Sequence, residues 1–401
     1  MKQNKNFALL LVGQSLANIG DVLYVVSIIS LIFVWTGSAT ASSFVPFTIT
    51  TSMFISSLLT PLLIGKVNLK WLMAGSQIGK TVLLLILGLV LMGLAATHFY
   101  VIFLIISLIA FLDGCANPIR QTLIPHYVNS DALIQANGLA QTVTQVIEAV
   151  MWFVGSLFLL FLTSQQLIWL VGGLFGIASI VLCFLENVEH SSAEPRGKLD
   201  QVKEGWKTLS KTPVLRRIAW IDFLETLAGT VWIAAILYVF VSDALHVGEK
   251  WWGFINGAFC LGLIVGSLYC VRYSKLVEKR MSTFILIGSV LGFIVTVLFS
   301  MNSIPIVALF LSLCVGVFMQ IKNIPQQTVV QTSVAKEQLS TVYTSLSAIA
   351  TGVFGVGSLL MGFLADLIGI RFVFLFAALL LALVIGIVWK SKHLFVKHIT
   401  E

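Results

Sequence analysis

Six ionisable residues lie inside long apolar stretches of the sequence, where a charge requires a partner, water or a function. They are Asp21, Lys80, Asp113, Glu148, Asp222 and Glu225. An ionised group in a nonpolar medium is costly to keep, so such residues are candidates for function. A carboxylate in a partly dehydrated cavity takes up a proton more readily than one in water, and it can then alternate between a proton and a cation. The predicted chemistry is therefore reversible binding of protons and charged molecules.

Three of the acids lie deep within their apolar stretches. At 1.5 Å per helical residue, Asp21 lies about 21 Å into the first stretch, Glu148 about 24 Å into the fifth and Glu225 about 17 Å into the seventh. We predict Glu148 and Glu225 as proton- and substrate-binding residues, with Asp21 next. Asp222 precedes Glu225 by three residues and faces a similar direction, so it is a fourth candidate. Structural hydrogen bonding is the alternative for Asp21 and for one member of the Asp222–Glu225 pair.

Other charges in the apolar stretches are predicted to have structural or gating roles. These are Asp113, Lys80 and Arg120. Asp113 is expected to pair with Lys80, which would join two helices, or with Arg120. Lys322 is expected to extend its long side chain to the inner membrane surface.

The composition excludes a soluble domain. Hydrophobic residues make up 58% of the chain and charged residues only 10%, and the mean hydropathy is +1.00. A soluble domain carries about 25% charged residues because its surface must be polar. The net charge of +7 is spread over short clusters between apolar runs. With no basic stripe and no stacking platform, we expect no nucleic-acid partner.

Runs of about 20 apolar residues are long enough to cross the hydrocarbon layer as helices. The sequence contains twelve such runs, so we predict an all-α membrane protein with twelve transmembrane helices. The predicted spans are residues 7–35, 41–65, 71–93, 98–122, 132–160, 165–185, 214–242, 249–273, 281–301, 304–326, 338–365 and 370–390.

The basic residues orient these helices. With a cytoplasmic N-terminus, all of the 24 Lys and Arg residues fall on or next to cytoplasmic segments except Lys80, Lys250 and Arg371. This asymmetry predicts that both termini are cytoplasmic. It also predicts a multi-pass protein of the cell membrane.

A polar stretch divides the chain into two sets of six predicted helices. We predict an N-terminal six-helix bundle at 1–185, a cytoplasmic linker at 186–212 and a C-terminal six-helix bundle at 213–401. Within the linker, the residues from Asp200 to Lys211 have the pattern of an amphipathic helix that could lie on the anionic inner leaflet. A solvated linker is the alternative.

The two halves also resemble each other. A shift of 206 positions pairs Asn117 with Asn323 and Gln121 with Gln327. Both pairs occupy the fourth helix of their half. Two six-helix bundles in a parallel pseudo-repeat, related by an axis along the membrane normal, are a known transporter architecture.

Several motifs resemble one transporter family. NFALLLVGQSLANIGD at 6–21 with TGS at 36–38, NPIRQTLIP at 117–125 and GFLADLIGIR at 362–371 resemble the macrolide-efflux-like branch of the major facilitator superfamily. The resemblance spans the whole chain. It implies a twelve-helix fold whose first, fourth, seventh and tenth helices line a central cavity. It also implies an antiporter that exports drugs such as macrolides, or other amphipathic compounds, by alternating access, and so confers multidrug resistance.

No cofactor, metal site or enzymatic activity is predicted. The five cysteines lie in apolar segments without metal-ligand or disulfide spacing. No phosphate loop or nucleophile motif is present. The expected partners are a small amphipathic substrate, protons and the lipid bilayer, and we expect a functional monomer.

Two other functions remain open at this stage. The loop GKVNLK at 65–70 lacks the acidic residue that drug antiporters of this superfamily usually carry there. This difference favours a transporter of lipid, siderophore or metabolite, with uniport among its modes. The third hypothesis is a non-transporting membrane sensor, which any measured transport would exclude.

Overall fold

The computed structural model describes residues 5–36, 39–64, 66–93, 100–188, 198–232, 234–248 and 250–395. These residues form helices joined by short connections, and no strand occurs among them. Helices are expected here because a chain in hydrocarbon must satisfy its backbone hydrogen bonds within each segment.

The helices follow the chain in simple order. The first six are α1 (Lys5–Thr36), α2 (Ala39–Leu59), α3 (Leu69–Gly93), α4 (Tyr100–Tyr127), α5 (Leu133–Phe161) and α6 (Ser164–Cys183). The linker contains α7 (Lys198–Lys211). The remaining helices are α8 (Pro213–Gly229), α9 (Ala234–Asp243), α10 (Lys250–Arg272), α11 (Ser274–Lys279), α12 (Met281–Met301), α13 (Pro305–Thr332), α14 (Lys336–Ile368) and α15 (Ile370–Ser391).

Each predicted span coincides with one of these helices, except that the span 214–242 covers both α8 and α9. Within the described residues, ten helices are long and apolar enough to cross a membrane. The segment of α8 and α9 is bent by 47° and supplies an eleventh span when it is counted as one. The predicted fifth span coincides with α5, which is 29 residues long. The predicted all-helical membrane fold is confirmed.

Local sequence signals explain several helix ends. Thr163 and Gln166 form a capping box at the start of α6, which satisfies backbone N–H groups that have no partner in the first turn. Pro213 and Pro305 occupy first-turn positions, where the missing N–H costs nothing. Gly369 separates α14 from α15 with φ of +87°, a conformation that suits glycine because it has no Cβ.

The chain divides into two compact units by the proximity of its Cα atoms. Unit 1 comprises Met1–Val128, Val146–Trp206 and Lys336–Thr351. Unit 2 comprises Asn129–Gln145, Lys207–Ala335 and Gly352–Glu401. The first part of α5 thus belongs to unit 2, and the first part of α14 belongs to unit 1. The division of the sequence at 186–212 stays a prediction.

In unit 1, α3 packs against α4 and α6, while α1 packs against α6 and α2 against α4. The core that these helices enclose includes Leu23, Ile28, Leu84, Ile106 and Phe175. Burial of these side chains fixes the rotation of α1, α3 and α4. That rotation places the polar side chains of the same helices.

In unit 2, α13 packs against both α10 and α12, and α15 packs against α12 and α8. Four aromatic rings, Trp232, Phe240, Phe299 and Phe374, form a connected cluster in its core. Glycine brings α10 close to α13, since a Cβ on Gly262 would lie 2.1 Å from the carbonyl oxygen of Leu313. Such small-residue contacts are a common mode of helix packing in membranes.

Candidate functional site

A buried lysine forms the centre of a charge cluster in unit 1. Lys80 of α3 is 1% exposed, and its Nζ lies 2.7 Å from Oδ1 of Asp21 on α1 and 2.9 Å from Oδ1 of Asp113 on α4. Both carboxylates are 23% exposed. One ammonium group therefore joins three helices, and the two acids keep a partial opening to their surroundings.

The surroundings of Lys80 include an aromatic ring and an amide. Its Nζ lies 5.0 Å from the ring centroid of Phe175, a favourable arrangement for a cation. Gly20, next to Asp21, leaves room for this ring, because a Cβ there would lie 2.4 Å from the Phe175 Cε1 atom. Asn117 Nδ2 lies 3.5 Å from Asp113 Oδ2, one turn along α4.

A second cluster lies in unit 2, between α8 and α13. Lys322 is 3% exposed and forms an ion pair with Glu225, which is 21% exposed. One turn away, Gln326 Nε2 donates a hydrogen bond of 2.7 Å to Asp222 Oδ1. The charge of Lys322 also acts on Asp222. The three- and four-residue spacings place both acids on one face of α8 and both partners on one face of α13.

The Glu225–Lys322 pair borders a cavity of about 140 Å³ within unit 2. Most of its wall is apolar or aromatic, including Trp232, Phe259 and Val315, and hydroxyls are supplied by Ser289 and Thr296. An apolar wall with a few polar groups is the usual construction of a small-molecule site. This cavity suits part of a molecule that is both hydrophobic and charged.

The two clusters have the same charge composition. Each contains one buried lysine and two acids, and with every group ionised each carries a net charge of −1. A net charge away from water is unfavourable. A proton or a cationic ligand would neutralise it, so each cluster has the composition of a proton- or cation-exchange site.

Two predicted residues lie apart from these clusters. The side chain of Glu148 on α5 is exposed, and Arg120 of α4 lies close enough for its charge to act on both Glu148 and Asp113. No ion pair within 4.0 Å joins Arg120 to an acid among the described residues. Asp113 instead pairs with Lys80, one of the two partners that the sequence allowed.

The expectation for Lys322 is wrong. Its side chain is buried and turned towards Glu225, whereas the sequence suggested that it extends to the membrane surface. The carboxylate of Glu225 is within reach of the Lys322 ammonium group, and this ion pair stabilises the charge without requiring the side chain to extend to water. Gln326 and Phe175 were not predicted as site residues, because the sequence contains only a weak signal for them. A lysine within an apolar run requires a partner, but the sequence does not say which.

In the described residues, no group of three or more His, Cys, Asp or Glu side chains could hold a metal ion. No disulfide joins the cysteines of the described residues, which lie in the apolar segments.

Comparison with known proteins supplies a family context for this arrangement. The family model described as Major Facilitator Superfamily matches residues 10–353 and, in a second match, residues 226–394. An uncharacterized MFS-type transporter of Bacillus subtilis strain 168, YfmI, is 30% identical over 402 residues, which cover 99% of each chain. The multidrug efflux pump Tap of Mycolicibacterium fortuitum is 24% identical over 303 residues, covering 74% of this chain and 73% of Tap.

Among solved structures, the human organic anion transporter MFSD10 is similar in fold. Its TM-score is 0.79 with 13% sequence identity, over 97% of this chain and all of that one. At this identity the likeness concerns the fold alone.

Proposed function

This chain belongs to the Major Facilitator Superfamily, and from this premise we propose that it exports amphipathic organic compounds in exchange for protons. Members of the superfamily are multi-pass membrane transporters rather than enzymes. This protein is likewise a multi-pass membrane transporter. Lipophilic cations and macrolides are the proposed substrates. Alternating access of the binding site to the two sides of the membrane is the proposed mechanism.

The observation that carries this proposal is the position of Glu225 at the border of an apolar cavity. Its carboxylate is partly exposed and paired with Lys322, and the same two residues line the cavity with Trp232 and Phe259. A hydrophobic cation would place its apolar part against these rings. Its charge would compete with Lys322 for the carboxylate.

Proton exchange follows from the same competition. A proton on Glu225 removes the charge that attracts a cationic substrate, and loss of that proton restores it. Proton and substrate therefore bind in alternation, as an antiporter requires. Only interactions that differ between the two states can shift a conformational equilibrium, and the pairing of Glu225 is such an interaction.

The other acids have proposed roles in the same cycle. Asp21 is the second proton-binding candidate, because it shares Lys80 with Asp113 and stays 23% exposed. Asp222 is held by Gln326 and is proposed to set the charge around Glu225. Glu148 is exposed and is proposed as a further proton-binding acid, whose ionised form the nearby charge of Arg120 stabilises. Asp113, Lys80 and Arg120 are proposed to be structural or gating charges.

The named relative that supports drug export is the pump Tap, whose similarity covers about three quarters of this chain. YfmI is described only as an uncharacterized MFS-type transporter. The proposal on substrate therefore rests first on the chemistry of the cavity.

The test measures ethidium accumulation and erythromycin susceptibility in bacterial cells that lack their own exporters. Cells would express the wild type, the single variant Glu225→Gln, or the double variant that combines Glu148→Gln with Glu225→Gln. Membrane levels of the three proteins would be matched. We expect the wild type to lower ethidium accumulation and a protonophore to abolish this effect. Glu225→Gln should lower the rate of ethidium efflux at least about tenfold, and the double variant should have no remaining efflux. Asp243→Asn is the matched control, because Asp243 is an exposed acid of the same unit outside the cavity.

Gradient-dependent transport that survives in the double variant would refute the carboxylate mechanism. Transport that persists after collapse of the proton gradient would favour uniport. Absence of any resistance or efflux in the wild type would favour a lipid, siderophore or metabolite as the substrate.

A further inference from the structure

The linker helix α7 has two different faces. Gly205 and Leu209, four residues apart, are buried, and Leu209 is 3% exposed. Lys203, Lys207 and Lys211 are exposed on the other side. Because residues spaced by four turn only about 40° around a helix, these three ammonium groups form a continuous cationic strip.

The buried face is fixed to another helix. A Cβ on Gly205 would lie 2.3 Å from both the carbonyl oxygen of Thr341 and the Oγ of Ser345 on α14. Only glycine permits this approach of α7 to the backbone of α14. The rotation of α7 is therefore set, and its lysines cannot turn towards the protein.

The exposed face combines charge with an aromatic ring. Trp206 is 39% exposed and borders the lysine strip on one side. Glu204 borders it on the other side and is half-buried. Tryptophan beside lysines is typical of helices that lie at the surface of an anionic membrane. The exposed part of this face is thus cationic and amphipathic.

The chain also holds α7 close to the membrane. Only Thr212 separates Lys211 from Pro213, where the spanning segment that begins with α8 starts. Arg216 and Arg217 in the first turns of α8 are exposed as well. The distribution of basic residues assigns this end of α8 to the cytoplasmic side. The strip therefore lies at the level of phospholipid headgroups.

We propose that the exposed face of α7 is a binding site for anionic phospholipids of the inner leaflet. Lys203, Lys207 and Lys211 contact the phosphate and headgroup oxygens, and Trp206 inserts at the boundary of the acyl chains. A lysine near an anionic surface strengthens binding about fivefold. Three of them give the site a strong preference for anionic over zwitterionic lipid. This proposal is independent of the transported substrate.

The test uses the full-length protein in nanodiscs that contain either brominated phosphatidylglycerol or brominated phosphatidylcholine at the same mole fraction. Bromine quenches nearby tryptophan fluorescence, and subtraction of the Trp206→Phe signal isolates Trp206. We expect at least about twofold stronger quenching of Trp206 by the anionic lipid. The triple variant Lys203→Gln, Lys207→Gln, Lys211→Gln is expected to remove this preference.

The matched control removes three cations elsewhere on the same protein. Lys275→Gln, Lys279→Gln, Arg280→Gln changes exposed residues in and next to α11 and is expected to keep the preference. Salt at about 1 M screens charges beyond about 3 Å, so it is expected to reduce the preference of the wild type for the anionic lipid. Equal quenching by both lipids in the wild type would overturn the proposal. So would a preference that survives the α7 triple variant or disappears in the α11 control.

Discussion

The Nζ atom of Lys80 lies 2.7 Å from Oδ1 of Asp21, and this ion pair joins α3 to α1 across 59 positions of sequence. Lys80 is almost completely buried, whereas Asp21 stays partly exposed. The lysine is therefore fixed and the acid is accessible. This difference is the reason why Asp21, and not Lys80, is proposed to exchange its partner for a proton.

Removal of the lysine alone is expected to be severe. Lys80→Met leaves Asp21 and Asp113 as two adjacent acids without their cation, which should lower the free energy of unfolding by about 3–5 kcal/mol. Adding Asp21→Asn and Asp113→Asn should recover most of this loss, since a neutral site needs no counter-charge. Unfolding in an SDS titration, followed by circular dichroism, measures both changes. Lys390→Met, at an exposed position on α15, is the control and should have little effect.

Filling the cavity beside Glu225 is expected to impair transport without impairing the fold. Gly292 lines this cavity, and a Cβ there would meet no atom within 4 Å, so Gly292→Leu projects into open space. We expect the initial rate of ethidium efflux to fall by at least about tenfold. Gly386→Leu is the matched control, because Gly386 is also unobstructed and lies outside the cavity lining. Equal efflux by the two variants would show that substrate does not enter this cavity.

Arg371 is expected to stabilise one end of unit 2. Its guanidinium donates hydrogen bonds of 2.9 to 3.0 Å to the carbonyl oxygens of Ser300, Asn302 and Ala244. It thereby joins the ends of α12 and α9 to the start of α15. Arg371→Met should lower the free energy of unfolding by about 2 kcal/mol. Arg371→Lys should cause a smaller loss, since an ammonium group keeps the charge but not the fork of donors.

The control for this prediction is Arg217→Met, which removes an exposed arginine that has no hydrogen bond or ion pair among the described residues. Thermal unfolding of the purified variants compares the three. A loss in Arg217→Met as large as that in Arg371→Met would mean that charge alone, and not the carbonyl contacts, is responsible.

The start of α5 is expected to be held in unit 2 by an amide pair. Asn137 is 1% exposed, and its Nδ2 donates to Gln331 Oε1 at 2.7 Å while Gln331 Nε2 donates back to Asn137 Oδ1 at 3.2 Å. A double-mutant cycle of Asn137→Ala and Gln331→Ala should give a coupling energy between about 0.5 and 3 kcal/mol. SDS unfolding of the four proteins measures it.

A distant asparagine provides the comparison for this cycle. Within the described residues, Asn256 on α10 donates to one partner, the carbonyl oxygen of Trp252 on its own helix. It lies about three turns before Ser267, an α10 residue close to Gly138. Asn137→Ala and Asn256→Ala should therefore be additive. Coupling of similar size in both cycles would indicate a general change in the protein rather than a direct amide contact.

The sequence by itself determined the membrane class, the helical content and the places of the spans. Hydropathy is a local property, and a span of about 20 residues has no alternative to a helix in hydrocarbon. It also located the ionisable residues within the apolar runs, because such a group is visible without a structure. The bounds of α12, for example, are the predicted residues 281–301.

Only the tertiary structure decided how those charges combine. It chose Lys80 over Arg120 as the partner of Asp113, and it paired Lys322 with Glu225 across 97 positions, against the expectation from sequence. It also turned the lysines of α7 outward by seating Gly205 on α14. Such pairings depend on the rotation and axial position of each packed helix. The burial of apolar side chains that are distant in sequence fixes this rotation and axial position, and neither can be read from hydropathy along a single chain.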